Sequence, residues 1–272
     1  MEKAVAQTET DPTLLKSGGK KDHSQIKNTM KKALHKEKQP REMRTLFERY
    51  LMVCTLALLL FACGDPASSR LNLPTLSGEI QVDGRIDEKA WERAWIHEGL
   101  ISPWPEEGNE DKTTFRAFKS PEHFNFFFEV RDNSLTMVAF QNEASVEQED
   151  RVELFFSSDT TLVRYYCIEI DPNGNVLDYS AAYYREFDPT WDFTSKELAT
   201  KITDTGYFVE GRISLNELSE LGISSPFYLG IFRADFKRPV GEAVTWFSWK
   251  RPKSTTPDFH IPSAFGETVL MK

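Results

Sequence analysis

Along most of the chain, apolar residues recur with a period of two, in short runs broken by Gly, Pro, Asn and Asp. That is the signature of strands joined by tight turns. Thr113–Lys119 alternates, with Phe115, Ala117 and Lys119 on one side and Arg116 and Phe118 on the other. The run 123–130 (HFNFFFEV) is almost wholly apolar and predicts a central strand buried on both faces, as does Arg151–Ser157. Asn173-Gly174 lies between the β-rich runs Tyr165–Ile170 and 176–184, a strong hairpin signal. A second hairpin is expected around Asp204-Thr205-Gly206, joining 196–203 to 207–213. Further strands are expected over 79–82, Phe227–Phe236, 244–250 and 267–271. Helical spacing is confined to 86–95, with Asp87 as N-cap and Ala90, Trp91, Ala94 and Trp95 on one face, and to a brief turn over 214–221. Strands never alternate regularly with helices. The expected fold is therefore all-β: an antiparallel β-sandwich in the jelly-roll or immunoglobulin-like style, with one or two short helices.

The pattern changes near the start. Residues 51–62 read LMVCTLALLLFA, twelve residues without a charge. A bilayer-spanning helix needs about 20 apolar residues, so this run fits the apolar core of a signal peptide, with Arg44 and Arg49 as its basic flank. Leu60-Phe61-Ala62-Cys63 resembles the bacterial lipobox, in which the cysteine after a small residue is lipidated and becomes the mature N-terminus. The resemblance implies a lipoprotein anchored through Cys63, at the periplasmic side or the surface of a bacterial cell envelope. Residues 43–62 form a signal of ordinary length, while residues 1–42 are polar, Lys-rich and aperiodic, which points to translation from Met43. Residues 63–77, rich in small and polar side chains, read as a tether, and 78–272 as the folded domain. Cys54 leaves with the signal. Cys167 stands alone in a hydrophobic strand as an inert core thiol, so no internal disulfide is expected.

Charge narrows the partners. Residues 1–50 carry 12 Lys and Arg against 7 Asp and Glu, whereas residues 51–272 carry 21 against 35. An acidic body argues against nucleic acid, which needs a basic face. It suits neutral sugars, cations, or plain solubility.

Several segments together resemble carbohydrate-binding module family 9. Ile80-Gln81-Val82-Asp83-Gly84 with Asp87-Glu88 and Ala90-Trp91 is similar to that family's opening. The strand pair over 113–130 ending in Arg131-Asp132, then Glu149-Asp150-Arg151-Val152-Glu153-Leu154-Phe155-Phe156, is similar to its centre. Tyr207-Phe208-Val209-Glu210 with Ile213-Ser214-Leu215 matches a late hairpin, and residues 259–266 (FHIPSAFG) match its end. The resemblance implies a β-sandwich that binds an oligo- or polysaccharide without cleaving it, often beside calcium. In that family two tryptophans sandwich the sugar. Their positions fall at Glu147-Gln148 and at Phe259 here, so ligand identity does not carry over.

Sugar recognition needs flat aromatic faces and paired hydrogen-bonding groups. Phe259 is the expected platform. Trp104, in Ser-Pro-Trp-Pro, and Trp191, in Asp-Pro-Thr-Trp-Asp, sit in turn-like polar settings as partners from loops. Trp246 and Trp249 are three apart in a strand and face opposite sides, so one belongs to the core and the other can line a cleft, with Trp249 the expected ligand contact. Trp91 and Trp95 read as core. By the same resemblance Glu153 is a sugar-contacting carboxylate, and inside a strand it needs either a ligand or an arginine such as Arg233, which is itself a candidate ligand contact. Asp188 and Asp192 are candidate calcium ligands. Asp171, Asn173 and Asn175 are spaced like calcium ligands too, but they lack a twelve-residue loop ending in glutamate and read as a turn. Other classes lead elsewhere. A glycoside hydrolase would need a carboxylate pair such as Asp150 and Glu153. A haem domain would draw axial ligands from His123, His260, Met137 or Met271. A structural envelope lipoprotein would show a flat apolar patch and no glycan cleft.

Overall fold

The period-two pattern is realised as thirteen strands in two packed sheets. The structure, a computed structural model, describes residues 70–78, 80–104, 112–237 and 244–272. The strands are β1 (Arg70–Leu73), β2 (Trp95–Glu98), β3 (Thr113–Lys119), β4 (His123–Arg131), β5 (Arg151–Ser157), β6 (Tyr165–Ile170), β7 (Val176–Ala182), β8 (Glu186–Asp188), β9 (Glu197–Thr203), β10 (Gly206–Ser214), β11 (Phe227–Phe236), β12 (Val244–Ser248) and β13 (Gly266–Leu270). The smaller sheet runs β2-β3-β4-β10-β9. The larger runs β1-β13-β11-β5-β6-β7-β8, with β12 also pairing β11. Every pairing between named strands is antiparallel except β1 with β13. The signal segment and Cys63 lie outside the described residues, within which no helix is long and apolar enough to cross a membrane.

Alternation decides which face each side chain takes. The inner faces of both sheets meet in one core, with Phe124, Phe126, Phe128 and Val130 of β4 against Val152, Leu154 and Phe156 of β5 and Leu229 and Ile231 of β11. β4 and β5 are near-continuous apolar runs because both their faces are covered. The β6–β7 hairpin turns at Gly174, whose φ of +85° suits a residue without Cβ. Asp171 ties that turn, its carboxylate accepting from the backbone N–H of Asn173 and Asn175 and from the Asn175 side chain. The Asp171-Asn173-Asn175 spacing is thus a turn motif. Cys167 is buried, and burial pushes its thiol well above the usual range.

Outside the smaller sheet, Leu76, Ile80 and Trp91 cover Phe118 and Phe127. Glu210 of β10 pins this cover. Its carboxylate accepts from the backbone N–H of Asp83 at 2.8 Å and Gly84 at 2.9 Å, and from the Trp91 indole at 3.2 Å. This accounts for the Ile80-to-Trp91 motif as one physical unit: an apolar anchor, a turn, and a tryptophan, all held by one carboxylate. Outside the larger sheet, the chain from Pro257 to Phe265 packs Phe259, Ala264 and Phe265 over Phe155, Tyr165, Cys167 and Phe232.

Four local expectations change. No helix forms over 86–95; only a 3-10 turn, Trp91–Arg93, is present, and Trp95 enters β2. Trp91 and Trp95 therefore serve opposite faces of the smaller sheet, since Trp95 packs against Phe115 and Trp249 in the inner core. Residues 80–82 anchor the outer cover without becoming a strand. The stretch read as a tether contributes β1, whose Leu71 and Leu73 are fully buried against the inner core. The helical turn after β10 is a true α-helix, α1 (Leu215–Glu220), capped by the Ser214 hydroxyl.

Glu210→Ala leaves three buried donors without an acceptor. The expected loss is about 2–4 kcal/mol, measured by urea unfolding. A loss below about 0.5 kcal/mol would show that Glu210 does not hold the cover.

Candidate functional site

Where the covering loop ends, the outer face of the larger sheet is left as a cleft of about 510 Å³. Its floor comes from alternate positions on three neighbouring strands. Arg151 and Glu153 share the outward face of β5, Glu169 stands opposite Glu153 on β6, and Tyr179 follows on β7. The Arg151 guanidinium lies between the two carboxylates, its Nε 3.0 Å from Glu153 Oε1 and also in contact with Glu169 Oε2. Neither contact is aligned as a hydrogen bond. Another arm of Arg151 donates to the backbone oxygen of Glu147 at 3.1 Å, and the Tyr179 hydroxyl donates to Glu169 Oε1 at 2.9 Å. Burial, and after it the Glu169 carboxylate, pushes Glu153 up to about 8 against the pull of Arg151.

Aromatic rings make the walls. Trp246 of β12 is half-buried, and the Arg151 guanidinium carbon sits 5.5 Å from its ring centre. Phe187 of β8 is 44% exposed and meets Tyr179 and His260 edge-on. His260 stacks on Phe155, and its Nδ1 lies 3.1 Å from the Tyr165 hydroxyl. Burial and then Arg185 depress His260 to about 3, so it is neutral at physiological pH. At the rim, Asp258 receives the Tyr184 hydroxyl and Arg185.

Of the residues singled out beforehand, Phe259 and Glu153 line this cleft, as does Glu147 at the other position pointed to by the family resemblance. Phe259 is only 5% exposed: one face stacks on Phe232 at 4.1 Å and its edges meet Trp104 and Trp246. It backs the wall and does not offer an open platform. Trp104 is buried behind it, its indole donating to the Ser254 carbonyl, so its polar surroundings misled. Trp191 packs on Tyr166 and Phe193 at the edge of the inner core and does not line the cleft. Trp249 is likewise an inner-core residue, while Trp246, three positions earlier, takes the cleft. Arg233 shares the inner face of β11 with Ile231, where it pairs with Asp132 at 2.7 Å; the partner of Glu153 is Arg151 from its own strand.

Calcium finds no ready cage. Asp188 is exposed and its carboxylate accepts from the backbone and hydroxyl of Thr190. Asp192 groups instead with Glu143 and Asp178, where the Lys196 ammonium lies 3.0 Å from Asp178. A second group, Asp132, Asp150 and Asp235, is held by Arg233, and both Asp150 oxygens accept backbone N–H groups. In each group a protein cation, Lys196 or Arg233, already offsets part of the carboxylate charge. Asp150 does not line the cleft, so it and Glu153 do not flank one bond as hydrolysis requires. Of His123, His260, Met137 and Met271, only His260 reaches it.

Sequence reading passed over Phe187, Tyr179, Glu169 and Arg151 as site residues. The signal was present in the Asn173-Gly174 turn, which sets the β6–β7 register and so puts Glu169 and Tyr179 on one face.

The profile of the carbohydrate family 9 binding domain-like family matches residues 82–272. A search of curated proteins finds no match. Among solved structures, the chain is similar to a candidate carbohydrate-binding protein from Bacteroides uniformis, at 15% identity and a TM-score of 0.60, covering 74% of this chain and 99% of that one. It is also similar to a family 9 carbohydrate binding module from Caldicellulosiruptor kristjanssonii. Bound to cellotriose, that module gives 17% identity and a TM-score of 0.54, covering 74% of this chain and 93% of that one. Bound to glucose, it gives 18%, 0.50, 74% and 95%. At these identities the structural likeness is one of fold.

Buried carboxyls make stability pH-dependent. Glu153 rises from 4.5 to about 8, and Asp150 rises from 3.8 to about 7, chiefly through burial. Each holds its proton more tightly when folded, so its contribution is present at low pH and lost as pH rises through the folded value. The urea midpoint should be higher at about pH 5.5 than at about pH 8.5. A higher midpoint at the alkaline pH would contradict the assignment.

Proposed function

The chain belongs to the carbohydrate family 9 binding domain-like family, and from that premise we propose that it is a non-catalytic carbohydrate-binding lipoprotein of the bacterial cell envelope. Its ligand is an oligo- or polysaccharide, taken in the cleft on the outer face of the larger sheet. One observation carries this reading: exposed ring surface of Trp246 and Phe187 stands around the buried polar floor of Arg151, Glu153 and Glu169 in a single concavity. Rings stack on the C–H faces of a sugar, while the guanidinium and carboxylates bond its hydroxyls in pairs. Arg151 is held in place before the ligand arrives by its carboxylates and the Glu147 carbonyl, so little ordering is lost on binding.

Membership of a carbohydrate-binding family supports capture over cleavage, and a role in supporting polysaccharide catabolism follows from capture at the envelope. Cellotriose, the sugar seen with the Caldicellulosiruptor kristjanssonii module, is the natural first probe. Trp246→Ala should weaken its binding at least about tenfold by calorimetric titration, while Trp191→Ala should leave it within about twofold. Equal losses in both variants would move the site away from this cleft.

The anchor reading rests on Leu60-Phe61-Ala62-Cys63 after an uncharged apolar run. In a bacterial host the protein should incorporate labelled palmitate and sediment with membranes, and Cys63→Ser should do neither. Label retained in Cys63→Ser would overturn lipidation at that residue.

A further inference from the structure

The charges around the cleft do not balance. Four carboxylates, Glu147, Glu153, Glu169 and Asp258, line it against two guanidiniums, Arg151 and Arg185. Arg185 is taken by Asp258 at the rim. Arg151 alone then faces both Glu153 and Glu169, which are 2% and 4% exposed. Glu153 Oε1 is buried without an aligned hydrogen bond, and so is Glu169 Oε2. His260 is neutral and cannot offset the excess. The walls around this surplus are aromatic, Trp246, Tyr179 and Phe187, whose ring faces attract cations as well as sugar C–H groups.

We infer that the cleft selects amine-bearing sugars, with the ligand's ammonium supplying the positive charge that the floor of Arg151, Glu153 and Glu169 lacks. The inference rests on the glycan reading of the same cleft and adds the ligand class. The groups facing Glu153 are Arg151 on its own strand, Glu169 from β6, Tyr179 from β7 and Glu147 from the turn before β5. Asp258, Arg185 and His260 stand around the mouth. In the empty cleft, burial and Glu169 let Glu153 hold a proton up to about 8, so that proton neutralises the surplus carboxyl. The incoming ammonium takes its place and the proton passes to solvent, so amine binding is linked to proton release. A neutral sugar meets the protonated floor and releases no proton on binding. A uronate adds a further negative charge and is disfavoured.

The test is calorimetric titration of the protein at about pH 6, where the C2 amine of glucosamine, made less basic than an alkylamine by its neighbouring oxygens, is still mostly charged. Three β-1,4-linked trimers are compared: the glucosamine trimer, cellotriose, which differs from it only in a hydroxyl for the amine at C2, and the glucuronic acid trimer. The expected order is glucosamine tighter than cellotriose by about tenfold or more, with the uronate weakest. Glu147→Gln, a change at an exposed position, should narrow the ratio of glucosamine to cellotriose affinity, and Glu153→Gln should narrow it further. Cellotriose binding as tightly as the glucosamine trimer, or a uronate binding best, overturns the inference and leaves the glycan site standing. A ratio unmoved by either variant overturns the assignment to these carboxylates. No saturable binding of any trimer removes both the inference and the glycan reading.

Discussion

Phe155, Tyr165, Tyr179 and Phe232 stand on the outer face of the larger sheet, where rings of this size must be covered. Burying both faces of one sheet is the constraint from which the rest of the molecule follows. The inner face is closed by the second sheet. Among the described residues the outer face is covered by the chain from Pro257 to Phe265 together with Trp104, Val146 and Leu162, and the part left open is the cleft. The charged floor sits at that margin, where a strand position is shielded from bulk water yet open to a ligand. A guanidinium between two carboxylates there is expensive to bury and gains little stability over an apolar packing. Its presence makes more sense as recognition than as structure.

The same economy of buried carboxylates shapes the opposite side of the molecule. Glu210 lies under the cover of the smaller sheet, where burial raises its pKa and three N–H groups oppose the rise. Every partner of Glu210 is protein, so it is a structural tie. Glu153 and Glu169 differ because part of their neighbourhood is the cleft itself. Buried acids on outward strand faces thus have different fates, decided by whether a covering segment supplies their donors.

Much of this was legible in the residues. The largely apolar runs at 123–130 and 151–157 are the centres of the two sheets, and Asn173-Gly174 and Asp204-Thr205-Gly206 are two hairpin turns. Alternation put Trp246 and Trp249 on opposite faces but did not say which face was the cleft, and it is Trp246, not the expected Trp249, that lines it. The failures have one physical cause, that burial by non-local loops leaves no local pattern. Trp104 has polar and proline neighbours, yet residues some 150 positions later cover it. Ala90, Trp91, Ala94 and Trp95 have helical spacing, but Trp95 gains more by pairing in β2 above the inner core than by helical hydrogen bonds over so short a stretch. Phe187 is unremarkable as a sequence position and becomes a wall only because β8 pairs onto β7 beside the cleft.

The central claim is that the outer-face cleft of the larger sheet is where the glycan binds. A crystal structure of the protein with a saturating trisaccharide tests it most directly. The account predicts sugar density between Trp246 and Phe187, with hydroxyl or amine groups within about 3.2 Å of Arg151 or Glu153. Sugar bound instead at Trp191, or against the cover of the smaller sheet with this cleft holding only water, would contradict it.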